Sequence, residues 1–494
     1  MRQESMQNFL IKRAFLTPER PAVHFQDQTV TFKELYERSY DTAGRLQGLG
    51  IQQDEFVAVL LKNHLDTVII LFALQLLGLK TVILNNRLTQ AELVWQLEDS
   101  HASYLILEDS FLEMKERAPF LKAVTKSELF KYEPGEPQIQ DETNLGEICT
   151  IMYTSGTTGH PKGVMQTYGN HWWSAIGSAL NLGITENDCW LCSVPLFHIS
   201  GYSILMRSVI YGMPIVLHEK FDVEKTLLDI AEKQVTIMSV VGTMLTRIVD
   251  SLGEKQLPEH LRCMLLGGGP APMPLLERCV EKRVPVFQSY GMTETSSQIV
   301  TLSPEYSLTK LGSAGKPLFP SEIRIELDDK GLAQAGDAGE IVVKGPNVTH
   351  GYLHRPEATA EKIRDGWLYT GDIGYLDGDG FLYVLDRRSD LIISGGENVY
   401  PAEIEAVLLS HPEVAEAGVT GMDDSEWGQV PVAFIVSRNK CSVVTEDDLL
   451  EFCQTRLAKY KVPKEFFFVD ELPRNASKKL LRRTLREWVQ EEVD

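Results

Sequence analysis

Residues Tyr153 to Gly163 read Y-T-S-G-T-T-G-H-P-K-G. Four hydroxyls (Thr154, Ser155, Thr157, Thr158), three glycines (Gly156, Gly159, Gly163) and Lys162 fall within eleven residues. Small residues let backbone N–H groups approach a phosphate chain, hydroxyls add donors and a lysine adds positive charge. The apolar run Ile148 to Tyr153 leads in as a strand. The string therefore predicts a loop that grips nucleotide phosphates. It departs from G-x-x-x-x-G-K-[ST], because Pro161 stands where the second glycine belongs and Gly163 replaces the final hydroxyl residue. Proline has no N–H and resists continuing a helix. The spacing thus predicts a mobile flap rather than a helix-capped nest.

Other strings carry chemistry of the same kind. Tyr290 to Thr295 is Y-G-M-T-E-T, which offers the carboxylate of Glu294, the oxygen donor a hard cation prefers. Tyr369 to Gly374 is Y-T-G-D-I-G, and a carboxylate such as Asp372 accepts hydrogen bonds from two hydroxyls. Three glycines, Gly267, Gly268 and Gly269, lie within L-G-G-G-P. Pro195 to Gly201 (P-L-F-H-I-S-G) contains His198. Arg387 to Pro401 (R-R-S-D-L-I-I-S-G-G-E-N-V-Y-P) and Pro473 to Arg482 (P-R-N-A-S-K-K-L-L-R) follow. Arg207 sits inside the apolar run Ile204 to Ile210, and a buried arginine usually has an anionic partner.

Taken in order, these motifs resemble the signature set of the adenylate-forming enzymes: acyl-CoA synthetases, luciferases and the adenylation domains of peptide synthetases. The resemblance implies activation of a carboxylic acid by ATP with Mg²⁺, then transfer to a thiol such as that of CoA. It implies that Thr154, Ser155, Gly156, Thr157, Thr158, Gly159 and Lys162 hold the phosphates. Gly268, Gly269, Tyr290, Gly291 and Thr293 would surround the adenine and α-phosphate, and Asp372 and Arg387 the ribose. Glu294 and Thr158 would bind the metal. His198, Arg207, Gly267 and Ser297 would face the acyl group. Lys479 would contact both the reacting carboxylate and the α-phosphate, although Lys478 stands where relatives have glycine. A hinge at Ser389 would exchange Lys479 for Ser394, Gly395 and Gly396, whose small size leaves room for the pantetheine arm.

Several strings resemble one branch more broadly, the o-succinylbenzoate–CoA ligases of menaquinone synthesis. They are P-L-F-H-I-S-G around His198, L-G-G-G-P-A-P, F-Q-S-Y-G-M-T-E-T, L-G-S-A-G-K-P-L-F and P-R-N-A-S. That acid has two carboxylates, one to activate and one to bind, and Arg207 is the candidate for the second. Three alternatives stay open: a medium-chain or aryl acyl-CoA synthetase, a stand-alone adenylation module loading a carrier protein, and a non-catalytic nucleotide-binding protein.

The chain has 494 residues, 43% hydrophobic and 24% charged, which suits two or more globular domains. A net charge of −21 argues against general nucleic-acid binding but not against a locally basic ATP site. Arg456 to Glu487 is such a basic stretch, with ten Lys/Arg against four Asp/Glu, and reads either as a solvated face or as a lobe facing phosphates. Seven scattered cysteines do not make a disulfide framework, and Cys189/Cys192 lacks a second pair for zinc. Asp377 to Gly380 (D-G-D-G) lacks the ligand spacing of a calcium loop. The N-terminus has no signal-peptide core, and Val68 to Leu79 is too short to span a bilayer, which takes about 20 residues. The expected location is the cytoplasm, without membrane insertion, and homo-oligomerisation is left open.

The elements that must position these residues alternate strand and helix in the first half, which predicts an α/β fold with parallel sheets. Phe56 to Leu61, Thr81 to Leu84 and Tyr104 to Leu107 read as strands, Leu65 to Leu77 as a helix, and Thr89 opens another with Glu92 in a capping box. Residues 131 to 147 read as an exposed connection. From Gly312 to Val384 short strands and turns predict a small β-barrel-like part. Pro401 and Thr445 start helices in a smaller α/β unit. The expected division is a large domain of residues 1–388 and a small mobile domain of residues 389–494.

Overall fold

The computed structural model describes residues 4–154, 161–268, 273–306, 309–310, 312–327, 331–386, 390, 392–399, 401–438, 444–473, 480 and 482–493. Two sheets dominate the first part. One has six strands in the order Lys162–Thr167, Ile148–Thr154, Lys80–Ile83, Phe56–Leu60, Tyr104–Leu107, Lys122–Thr125. All its pairings are parallel except the edge hairpin of 148–154 with 162–167. The other has nine strands, with a parallel centre from Pro21–Phe25 through Val286–Met292.

Helix Leu65–Leu76 explains how one core serves much of this part. Eleven of its residues are buried on every side, and a helix apolar all round can only sit inside. The helix Gln90–Asp99 begins with the expected Thr89/Glu92 capping box. A third, antiparallel sheet holds Glu322–Glu326, Gly339–Lys344, Ile363–Arg364, Trp367–Leu376 and Leu382–Asp386. In the D-G-D-G turn of that sheet, Asp377 and Asp379 both accept from Lys310 Nζ (2.7 and 2.5 Å).

The C-terminal unit has a five-stranded sheet built on the hairpin Val414–Asp424/Gly428–Ser437, with helices Pro401–Leu409, Glu446–Gln454 and Arg482–Val493. Its apolar clusters draw only on residues from 392 onward. A separate core is the physical mark of a unit that can move as a body.

Two expectations change. The stretch 131–147 is not simply an exposed link: Glu142–Asn144 pairs antiparallel with Ser5–Gln7, and Thr143 is buried. Three polar residues carry no period, and their partner lies more than 130 residues away. Part of the basic stretch Arg456–Glu487 is paired among the described residues. Lys461 is buried against Glu92 and Glu403, Lys464 pairs with Asp424, and Arg482 pairs with Asp390 and Glu405. Cys189 and Cys192 fit a structural role: both are buried around the strand Trp190–Cys192, and burial pushes each thiol up to about 12. Among the described residues, no helix is long and apolar enough to cross a membrane.

Candidate active site

A cleft of about 1700 Å³ opens between the large sheets and the C-terminal unit. Of the residues expected to do chemistry, Thr154, His198, Arg207, Gly267, Gly268, Gly291, Thr293, Glu294, Ser297, Asp372, Gly395 and Gly396 line it. Lys162, Tyr290 and Ser394 are not among the lining residues. Ser155, Gly156, Thr157, Thr158, Gly159, Gly269, Arg387, Ser389, Lys478 and Lys479 lie outside the described residues.

The side expected to meet phosphates is built on the edge hairpin. Lys162 opens a strand opposite Thr154, so no helix follows the loop. Its Nζ lies 5.4 Å from the ring centroid of Tyr352. The Tyr352 hydroxyl donates to Glu294 Oε1 at 3.1 Å. Glu294 sits in a tight turn, Thr293–Thr295, at the end of strand Val286–Met292. A buried relay fixes that turn from below. Thr150 Oγ1 donates to Gln166 Oε1 (2.7 Å), and Gln166 Nε2 donates to the Thr293 carbonyl (2.9 Å). His171 Nε2 lies 2.9 Å from the same Thr150 oxygen. The hydroxyl proton of Thr150 is already committed to Gln166, so His171 Nε2 carries a proton and donates. Burial, and then the charge of Arg207, push the His171 pKa down to about 3.

On the side expected to meet the ribose, the Tyr290 hydroxyl donates to Asp372 Oδ2 at 2.7 Å, and both residues are buried. This interaction links two expected motifs and orients the carboxylate at the cleft wall.

The side expected to meet the acyl group is formed by helix Ile199–Tyr211 and the strand Ser297–Leu302. Arg207 is only 1% exposed, yet it reaches the cleft. Its Nη2 donates to Ser297 Oγ at 3.2 Å, and its guanidinium lies 5.1 Å from the Trp190 ring centroid. No carboxylate pairs with it among the described residues, and its Nε has no hydrogen-bond partner there. Burial pushes its pKa below the usual guanidinium value. Ser296 and Ser297 have φ of 51° and 107°, a conformation side chains resist. Such strain is held only where the surroundings over-determine it. Here the Ser174 hydroxyl donates to the Ser296 carbonyl (2.6 Å), and Ser203 Oγ lies 3.3 Å from Ser297 Oγ.

His198 precedes the same helix. Asn63 fixes the loop before it, donating to the carbonyls of Val194 (3.0 Å) and His218 (3.1 Å) and accepting from Leu196 N–H (2.8 Å). His198 Nε2 is 2.9 Å from Glu397 Oε2, and Arg87 pairs with the other oxygen of that carboxylate. Burial opposes ionisation of Glu397, but His198 first, then Arg87 and Lys461, outweigh it and hold its pKa below the usual carboxylate value. Glu397 brings the S-G-G-E segment with it. A Cβ added to Gly268 or to Gly396 would lie 3.3 Å from Val241, so both glycines pack closely against one side chain.

Sequence reasoning missed Tyr352, Gln166, Arg87 and Lys461. None of these belongs to a motif read from the chain, and each acts through a partner distant in sequence. Glu397 was the exception with a signal, since it ends the S-G-G-E string.

Comparison with known proteins follows this geometry. A 2-succinylbenzoate–CoA ligase of Geobacillus sp. (strain WCH70) is 59% identical over 487 residues, covering 99% of this chain and 98% of that protein. The o-succinylbenzoate CoA synthetase of Bacillus subtilis is 53% identical, with 98% of each chain covered, and a double mutant of it bound to its product analogue OSB-NCoA superposes with a TM-score of 0.95. The same enzyme in complex with the acyl-adenylate intermediate OSB-AMP gives 0.78, as does its complex with ATP and magnesium ion. Residues 11–353 match the AMP-binding enzyme family and residues 403–479 its C-terminal domain, and this chain belongs to that family.

Proposed function

We propose that this chain is an acid–thiol ligase that converts 2-succinylbenzoate to its CoA thioester through an acyl-adenylate, with release of AMP and pyrophosphate, as a step of menaquinone biosynthesis. The observation that carries the choice of acid is Arg207. A buried guanidinium is expensive to desolvate unless an anion meets it. Arg207 lacks a carboxylate partner among the described residues and faces the cleft beside Ser297, so the second carboxylate of the acid completes the pair. An apolar acyl chain would leave that charge unmatched, which disfavours a medium-chain synthetase. The curated ligases of the same name, at 59% identity, support the same acid.

In the first step a carboxylate oxygen attacks the α-phosphorus of ATP, and the bond to pyrophosphate breaks. Two anions must meet, so the demand is for positive charge and alignment. Lys479 is assigned to the meeting point and Lys162 to the phosphate chain. Asp372, oriented by Tyr290, takes the ribose hydroxyls together with Arg387. Glu294 and Thr158 would hold Mg²⁺. The described residues contain no group of three His, Cys, Asp or Glu that would hold a metal by itself. A single carboxylate in the cleft fits Mg²⁺, which takes one or two carboxylates and completes its shell with phosphate oxygens and water. When bound, the ion supplies charge neutralisation at those oxygens.

In the second step the CoA sulfur attacks the acyl carbon, the bond to AMP breaks, and AMP leaves. The thiol, with an ordinary pKa of about 8.5, needs no strong base against so good a leaving group. Gly395 and Gly396, beside Val241 and Gly268, are assigned to the pantetheine path. The C-terminal unit, bounded near residue 389 with Ser389 as hinge, brings them there. The higher TM-score with the product-analogue complex than with the acyl-adenylate complex supports reading this arrangement as the thioester-forming one. The proposed location is the cytoplasm.

The test is product analysis over a panel of acids. ATP, magnesium and 2-succinylbenzoate should give pyrophosphate without CoA, and AMP plus thioester with it. Benzoate and octanoate should turn over at least tenfold more slowly. A faster octanoate reaction, or ADP as product, would reject the reading.

A further inference from the structure

The segment 350–355 runs alongside strand Lys162–Thr167 as an extra partner. Val164 and Tyr352 form an antiparallel bridge, Met165 N–H donates to the Gly351 carbonyl (3.0 Å), and Leu353 N–H donates to the Gly163 carbonyl (2.8 Å). From this ledge and the residue before it, one backbone N–H and two side chains reach the machinery described above. Thr349, just before it, donates its N–H to the Glu294 carbonyl at 2.7 Å. Arg355 pairs with Asp99, which accepts the hydroxyl of Tyr153 (2.8 Å). Tyr352 itself, 6% exposed, donates to Glu294 Oε1 and lies under Lys162.

We propose that Tyr352 is a positioning residue for the nucleotide half of the reaction, holding the Glu294 carboxylate by its hydroxyl and the Lys162 side chain by its ring. The inference rests on the reading of Glu294 as a metal ligand. A glutamate side chain has three rotatable bonds between its backbone and its carboxyl group, and a charge-assisted hydrogen bond restricts them. An ammonium over an aromatic face is likewise restrained without being neutralised. Tyr352 thus aims two opposite charges at one phosphate chain while touching neither the acid nor the thiol.

Two variants separate the hydroxyl from the ring. Tyr352→Phe removes the hydroxyl and with it the hydrogen bond to Glu294, and Tyr352→Leu removes the ring as well. The first readout is binding of Mn²⁺ in the presence of ATP, followed by the loss of the free-ion electron paramagnetic resonance signal. Tyr352→Phe should weaken Mn²⁺ about tenfold, the scale of one hydrogen bond to a charged group. The Mg²⁺ concentration for half-maximal pyrophosphate release should rise by the same factor. Tyr352→Leu should add a rise in KM for ATP. Conversion of preformed acyl-adenylate to thioester should stay within twofold of wild type in both variants, as should KM for the acid. Wild-type Mn²⁺ affinity in Tyr352→Phe would overturn the proposal, as would equal loss of both half-reactions. Absence of Mn²⁺–ATP binding in the wild-type chain would instead reject the reading of Glu294.

Discussion

Lys461 Nζ stands 2.8 Å from Glu92 Oε1 and 2.7 Å from Glu403 Oε1, with 4% of the lysine exposed. Glu92 belongs to the large part of the molecule, where it also closes the capping box of Thr89. Lys461 and Glu403 belong to the C-terminal unit. One buried ammonium therefore serves two carboxylates across the boundary between the large part and the C-terminal unit. Burial disfavours the charge on Lys461, but Glu403 foremost, with Tyr460 and Glu92, overrides it and holds its pKa above the ordinary lysine range. Nearby contacts come from the same short stretch: Arg87 to Glu397, Asn85 to Tyr460 (3.4 Å) and Thr89 to the Arg456 carbonyl (3.1 Å).

Removing the cation leaves two buried carboxylates facing each other, and an uncompensated buried charge costs about 3–5 kcal/mol. We expect Lys461→Met to slow thioester formation from preformed adenylate at least tenfold, while pyrophosphate release changes less than twofold. Adding Glu92→Gln should restore part of the loss, because one of the two like charges is gone. Equal slowing of both half-reactions would show that Lys461 merely stabilises its own unit.

Arg207 is expected to govern the choice of acid. Arg207→Ala should raise KM for 2-succinylbenzoate about a hundredfold, on the scale of a lost charge-assisted bidentate contact, with KM for ATP unchanged. A parallel rise for an acid lacking the second carboxylate would assign Arg207 a structural role instead.

Lys479 is expected to act in one half-reaction only. Lys479→Ala should abolish adenylate formation and still convert preformed adenylate to thioester. Because Lys478 is adjacent, Lys478→Ala serves as the companion measurement and should retain both activities.

His171 sets a pH dependence of stability. Its folded pKa is about 3, below the ordinary 6.5, from burial and then from Arg207. Between those values the unfolded chain binds a proton that the folded chain refuses. Stability therefore rises with pH across this window and is lost as pH falls from 6.5 toward 3, at about 1.4 kcal/mol per pH unit. The proton would have to enter at Nδ1, which has no partner among the described residues. His171→Gln, which keeps a donor toward Thr150, should flatten the fall in Tm between pH 6.5 and 5. An unchanged slope would place the acid sensitivity elsewhere.

Much of the local structure was legible because local physics sets it. The capping residues Thr89 and Thr445 and the largely apolar helix Leu65–Leu76 each declare themselves within a few residues. So did the hairpin around Asp377. Motif order pointed to the family, and the strings around His198 and Gly267 pointed to the branch.

Contacts between distant residues stayed hidden. His198 and Glu397 meet over 199 positions, and Gln166 reaches the Thr293 carbonyl over 127. Neither separation leaves a period in the chain. Lys461 looked like one of ten basic residues facing solvent or phosphate, and only folding showed it sealed between two glutamates. Burial and pairing arise when separate elements pack together. The sequence by itself therefore determined which chemical groups this protein owns and the family it joins. The tertiary structure decided which charges are matched, which buried guanidinium has no carboxylate among the described residues, and which segment of the C-terminal unit faces the cleft.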